Sequence, residues 1–192
     1  MSALPKTSIT PEEYLAAERA AETKSEYIDG EVRAMPLVSR WHSLITMNIA
    51  GILHPQFKGQ PCEGYISMMR THLPKANAYV YPDVIVACGE PRFEDDQEDN
   101  LLTPTVVFEV LSPSTAAFDK GEKFDLYRAL DSLQEYLLVA QDRCHIIHYV
   151  RQGDNTWLLS ETRDMNARLD LPSIGCTLPV AEVYDNVTFD AA

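Results

Sequence analysis

The chain has 192 residues, 45% of them apolar, and a formal net charge of −13. That composition suits one globular domain over 1–192 and excludes a disordered chain. No apolar stretch reaches the length of about 20 residues that a membrane-spanning helix needs, and the negative balance weighs against casual nucleic-acid binding, because phosphate contacts need Lys and Arg.

The first residues, MSALPKTSITPEEYL, contain no apolar core of a signal peptide, so a cytoplasmic location is expected. Thr10-Pro11-Glu12-Glu13 reads as a helix start, with Thr10 as cap, Pro11 in the first turn and Glu13 closing a capping box. The helix should run to about Thr23 with Tyr14, Ala17 and Ala21 facing inward. Two short strands, 25–28 and 31–35, flank Asp29-Gly30, a strong hairpin turn. Ser39 caps a second helix over 40–53, ending before Pro55, with Leu44, Ile45, Ile49 and Ile52 at helical spacing.

Strands are expected over 65–72 and 80–88, followed by a solvated acidic loop over 89–103 that carries Glu90, Glu94, Asp95, Asp96, Glu98 and Asp99. The apolar run Thr105-Val-Val-Phe-Glu-Val-Leu111 reads as a strand buried on both faces, broken by Ser112-Pro-Ser-Thr115. A helix over 116–130 and a three-stranded meander over 135–139, 144–150 and 156–162 complete the pattern, and the segment from Arg168 onward is left unassigned. Cys62, Cys88, Cys144 and Cys176 form no CxxC pair, so reduced thiols are expected. The element order predicts a mixed sheet with packed helices, in the α/β or α+β class.

Glu109 is the most informative residue, because a bare carboxylate inside a buried strand must be protonated, paired or bound to a cation. Asp83 opens the preceding apolar strand, in Tyr81-Pro82-Asp83-Val-Ile-Val-Ala87. Antiparallel pairing of the two strands would put the start of one beside the end of the other, close enough for both carboxylates to share Mg²⁺ or Mn²⁺. Lys123 shares a helical stripe with Leu126, Tyr127 and Leu130, so its ammonium points with the apolar face and needs an anionic partner. Each residue also has a plainer reading: Asp83 as a turn residue, Glu109–Lys123 as a structural ion pair, Lys123 as a snorkelling stem and Tyr127 as core. Lys120, at the edge of that face, reads as a phosphate-steering group or, more plainly, as a solvated surface lysine, and Asp119 and Glu122 serve solubility and the helix N-terminus.

The strings SEYIDGEV (25–32), YPDVIV (81–86), FEVLSPST (108–115), DKGEKFDLY (119–127) and EYLLV (135–139), with His42 between the first two, resemble the Uma family of putative bacterial restriction endonucleases, within the PD-(D/E)XK nuclease superfamily. The resemblance runs from about residue 8 to residue 150. It implies a restriction endonuclease-like fold with a central mixed β-sheet flanked by helices. It implies a Mg²⁺- or Mn²⁺-dependent hydrolysis of nucleic acid, DNA in the first instance, by a homodimer. Pro82-Asp83 matches the PD element and Glu109 the (D/E), while the K position falls on Leu111 and its role passes to Lys123. Glu26 matches an acid before the hairpin Gly30 that binds or orients the metal, and His42 a histidine at the second helix. The Val110 carbonyl is implied as a further metal ligand. One further departure is Glu135-Tyr136-Leu137, where relatives carry Glu-Tyr-Trp. The alternatives are a non-catalytic binding module that kept the nuclease fold, a hydrolase of another class using two carboxylates, and a protein in which Glu109–Lys123 is only a buried salt bridge.

Overall fold

Thr10 caps the first helix, α1 (Pro11–Ala20), in a complete capping box with Glu13. A computed structural model describes residues 8–112 and 115–189, so the first residues, with the expected absence of a signal peptide, and Pro113-Ser114 of the predicted strand break lie outside the described residues. The buried stripe of α1 is Tyr14 and Glu18, whereas Ala17 and Ala21 are exposed. Glu18 turns inward because its carboxylate accepts hydrogen bonds from the Ser25 N–H, the Ser25 hydroxyl and the Tyr81 hydroxyl.

The hairpin forms as its turn chemistry dictates. Asp29 (φ 46°) and Gly30 (φ 87°) both take the left-handed conformation of a type I′ turn between β1 (Ser25–Ile28) and β2 (Glu31–Ala34). Ser39 accepts the His42 N–H and starts α2 (Arg40–Leu53), whose Ile45, Ile49 and Leu53 enter the core.

The expected strand over 65–72 is two strands, β3 (Cys62–Ile66) and β4 (Arg70–Leu73), in different sheets. The break is at Ser67, which adopts φ 43° and ends the extended run. Likewise β5 (Ala78–Val80) and β6 (Val84–Cys88) are separated at Tyr81-Pro82-Asp83.

The acidic segment 89–103 is a solvated loop only in part: Glu90, Asp95, Asp96 and Glu98 are exposed, but its end is docked. It contributes β7 (Asn100–Leu101), with Leu101 buried. Arg19 pairs with Asp95 and Asp99 at 2.7 Å each, and the buried Arg70 pairs with Asp99. These cations neutralise part of the acid that the sequence presents as a repulsive run.

Next in the chain come β8 (Val106–Leu111), α3 (Ala116–Lys120) and α4 (Glu122–Tyr127). Gly121, at φ −114° and ψ −93°, breaks the helix predicted over 116–130 into these two. The meander follows as β9 (Glu135–Ala140), β10 (Ile146–Arg151) and β11 (Trp157–Thr162). The unassigned tail holds β12 (Arg168–Leu171), β13 (Cys176–Pro179) and α5 (Val180–Val183).

A six-stranded mixed sheet runs β11-β10-β9-β8-β6-β3, and a five-stranded sheet runs β2-β1-β5-β4-β7. Only β8 and β9 are parallel in the larger sheet, joined by the α3–α4 crossover that parallel strands require. The β8 side chains alternate as the pleat demands. Val106, Phe108 and Val110 pack with α2, β13 and α5, and Val107 and Leu111 pack with Tyr127 on the other side. Glu109 shares the parity of Val107 and Leu111, so it too faces α4.

Cys62 and Cys88 form a disulfide, which overturns the expectation of reduced thiols for this pair. They are register partners across β3 and β6, a proximity that spacing along the chain does not reveal. Cys144 and Cys176 are free. Among the described residues no helix is long and apolar enough to cross a membrane.

Candidate active site

The sheet register brings the two acids together. β6 and β8 pair antiparallel with Val84 opposite Phe108, so one step further along the chain Asp83 comes opposite Glu109. Asp83 Oδ2 accepts the Val110 N–H at 2.7 Å, which extends the ladder just before the start of β6. Its other neighbour is His42 from the first turn of α2, with Nε2 at 3.2 Å from the same oxygen.

α4 supplies the cation. Lys123 is 5% exposed, and its Nζ lies 2.9 Å from Glu109 Oε1, 3.2 Å from Glu26 Oε1 and 3.7 Å from Asp119 Oδ1. Glu26 arrives from β1 in the other sheet, where its Oε1 also accepts the Tyr81 N–H at 3.1 Å. Tyr127, one turn beyond Lys123, donates its hydroxyl to Glu109 Oε1 at 3.1 Å. Asp119, assigned from sequence to the solvated helix start, is instead 3% exposed. It lies four residues before Lys123, on the same inward side, with its Oδ1 3.7 Å from the ammonium. Lys120, by contrast, is exposed as expected.

Glu26, His42, Asp83, Glu109, Asp119 and Lys123 line a cleft of about 540 Å³ between the β2–α2 loop, the end of β8 and α3–α4. Gln141, just past β9, lines it too and contacts the Ser39 hydroxyl, so the N-cap of α2 is tied to the sheet. Leu37, fully exposed, stands on the rim. Sequence reasoning missed three contributors: Asp119, Gln141 and the Tyr127 hydroxyl. The first and last lie four residues either side of Lys123, a spacing that carries the signal. Gln141 has no such local mark.

Charge is unbalanced in this cleft. Five carboxylates, Glu26, Asp83, Glu109, Asp119 and Glu122, line it against two cations, Lys123 and Arg33. Burial pushes the Glu109 carboxyl well above its usual range, Lys123 opposes that, and Asp119, Asp83 and Glu26 reinforce it. Asp119 is raised too, again by burial first. Burial works against the Lys123 charge, but Glu109, Glu26 and Asp119 outweigh it and hold the ammonium well above the ordinary lysine value. The cluster is therefore built to hold additional positive charge, as protons or as a cation.

The donors suit a hard divalent ion. Mg²⁺ needs only one or two carboxylates with waters and substrate oxygens completing its shell. Among the described residues no three His, Cys, Asp or Glu side chains form a ready-made metal cage. Asp83 and Glu109, with a backbone carbonyl nearby at Val110, are the oxygen donors that could hold such an ion.

The family model described as "Putative restriction endonuclease" and named Uma2 matches residues 11–181. Two Synechocystis sp. proteins, sll1609 and slr1290, both named as uncharacterized, are similar to the chain. The first is 38% identical over 84% of this chain and 92% of its own length, and the second is 37% identical over 96% of each. The fold is similar to the crystal structure of a protein from Anabaena variabilis titled a putative nuclease belonging to DUF820. That comparison has a TM-score of 0.73 at 19% identity and covers 94% of this chain and 99% of the other. The chain belongs to the Uma2 family of putative restriction endonucleases.

Proposed function

We propose that the protein is a divalent-metal-dependent endonuclease that hydrolyses phosphodiester bonds in nucleic acid, with DNA as substrate. The observation that carries this reading is the convergence of Asp83, at the head of one strand, and Glu109, near the end of its antiparallel neighbour, on one cleft with the Lys123 ammonium beside them. Family membership supports the same chemistry.

In this reading Asp83, Glu109 and the Val110 carbonyl hold Mg²⁺ or Mn²⁺, which when bound polarises the phosphodiester and makes a bound water more acidic. Lys123 is held protonated by its three acids, so it acts as a donor to the charge growing on the phosphate oxygens and not as the base. Glu26 orients that ammonium from β1. His42 holds Asp83 in register with the Val110 amide. A water oxygen bonds to phosphorus, one P–O ester bond breaks, and the departing oxygen takes up a proton. Cutting both strands of a duplex calls for two such sites, and a homodimer is the proposed assembly.

The test is cleavage of plasmid DNA with Mg²⁺. Asp83→Asn and Glu109→Gln are expected to abolish it while circular dichroism stays that of wild type. Wild-type cleavage by either variant rejects the site. A second reading, the nuclease fold kept without catalysis, draws on the 2.9 Å Glu109–Lys123 pair, which already gives the buried acid a partner. A folded wild-type protein that takes up no Mn²⁺ in calorimetric titration favours that reading.

A further inference from the structure

We propose that Tyr127 is a positioning residue of this site: its hydroxyl and the Lys123 ammonium together tie down one oxygen of Glu109, Oε1, and so leave Oε2 as the oxygen presented to a cation. The proposal rests on the endonuclease reading above and deepens it.

Three acids of the cleft, Glu109, Asp83 and Glu26, share one pattern. Glu109 Oε1 takes both the Tyr127 hydroxyl, at 3.1 Å, and Lys123 Nζ, at 2.9 Å. Asp83 Oδ2 takes the Val110 N–H at 2.7 Å and faces His42 Nε2 at 3.2 Å. Glu26 Oε1 takes the Tyr81 N–H at 3.1 Å and Lys123 at 3.2 Å. In each of the three these contacts converge on a single oxygen. The terminal torsion of a glutamate is broad and nearly two-fold, so an unanchored carboxylate exchanges its oxygens. Two donors fixed on one oxygen stop that exchange.

Tyr127 suits the task better than a flexible side chain. It is fully buried, with its ring packed 5.4 Å from that of Tyr136, so its hydroxyl has little freedom. It sits four residues after Lys123, and one helical face therefore delivers both donors to the same atom. A buried tyrosine needs some partner for its hydroxyl. Tyr136, its neighbour, meets that need on the inert backbone carbonyl of Asp119, at 3.0 Å. Tyr127 instead turns its hydroxyl to an acid that already has an ammonium.

Tyr127→Phe and Tyr136→Phe each remove one buried hydroxyl and keep the ring. Mn²⁺ binding is measured by titration calorimetry on wild type, both variants and Glu109→Gln, with thermal melts alongside. Tyr127→Phe is expected to weaken Mn²⁺ binding by roughly 10–100-fold, the usual effect of losing a group that orients a ligand. Tyr136→Phe is expected to melt at a temperature comparable to Tyr127→Phe and to bind Mn²⁺ as wild type does. Equal Mn²⁺ affinity in Tyr127→Phe and wild type, with uptake still lost in Glu109→Gln, overturns the role of Tyr127 and leaves the nuclease reading standing. Equal losses in the two tyrosine variants also overturn it, because packing alone would then account for the effect. Absence of Mn²⁺ uptake by wild type overturns both readings. Should Tyr127→Phe not fold, the ultraviolet difference spectrum of wild type on adding Mg²⁺ decides: a shifted tyrosine band is expected, and a flat spectrum overturns the proposal.

Discussion

Lys123 should be far more costly to remove than Glu109. Lys123→Met keeps the length and packing of the stem but deletes the only cation within 4.0 Å of Glu109, Glu26 and Asp119 among the described residues. Breaking a buried pair by removing one partner costs about 3–5 kcal/mol, because the remaining charge is stranded in a medium that solvates it poorly. For a chain of this size about 1 kcal/mol moves the melting temperature by about 2–4 °C. Lys123→Met should therefore melt roughly 6–20 °C below wild type in EDTA. Glu109→Gln is the opposite case. The ammonium keeps Glu26 at 3.2 Å and Asp119 at 3.7 Å, and the amide oxygen can still accept the Tyr127 hydroxyl. One acid fewer also relieves the crowding of like charges, so the net change should stay within about 1 kcal/mol of zero. Equilibrium urea unfolding at neutral pH, in EDTA, measures both. A Lys123→Met variant as stable as wild type, or a Glu109→Gln variant that loses more than Lys123→Met, refutes the charge argument.

The raised Glu109 carboxyl predicts a pH dependence with a definite sign. The folded state binds this proton more tightly than the unfolded chain, so metal-free stability is highest below the unfolded glutamate value of about 4.3 and declines as pH rises toward the folded value. Asp119 acts in the same direction, so Glu109→Gln should flatten the decline without abolishing it. Urea midpoints from pH 4 to pH 8 check this, and a wild-type stability that climbs across that window contradicts it. Leu37 is fully exposed on the rim of the cleft, where an apolar side chain can wedge between bases. Leu37→Ser should leave the melting temperature within about 1–2 °C of wild type, since it breaks no buried contact. It should weaken binding of a DNA duplex, measured by anisotropy with Ca²⁺ in place of Mg²⁺. Unchanged affinity would remove Leu37 from the substrate surface.

Local chemistry alone determined several features of this chain. The capping box at Thr10, the Asp29-Gly30 turn and the Ser39 cap are each written within a few residues, and each forms as written. The buried strand around Glu109 and the inward stripe of Lys123 and Tyr127 follow from apolar spacing. Three outcomes that depend on distant partners carried no mark in the sequence. Glu18 is buried because Ser25 and Tyr81 meet its carboxylate, the acidic segment docks because Arg19 and Arg70 neutralise it, and Cys62 meets Cys88 across a strand register. Tertiary structure also decided what the site is. Antiparallel pairing makes Asp83 and Glu109 neighbours, Glu26 comes from another sheet, and Asp119 is buried beside Lys123. Periodicity reports which face of an element is apolar. It is blind to which faces meet, because that is settled by burial and charge compensation summed over contacts far apart in the chain.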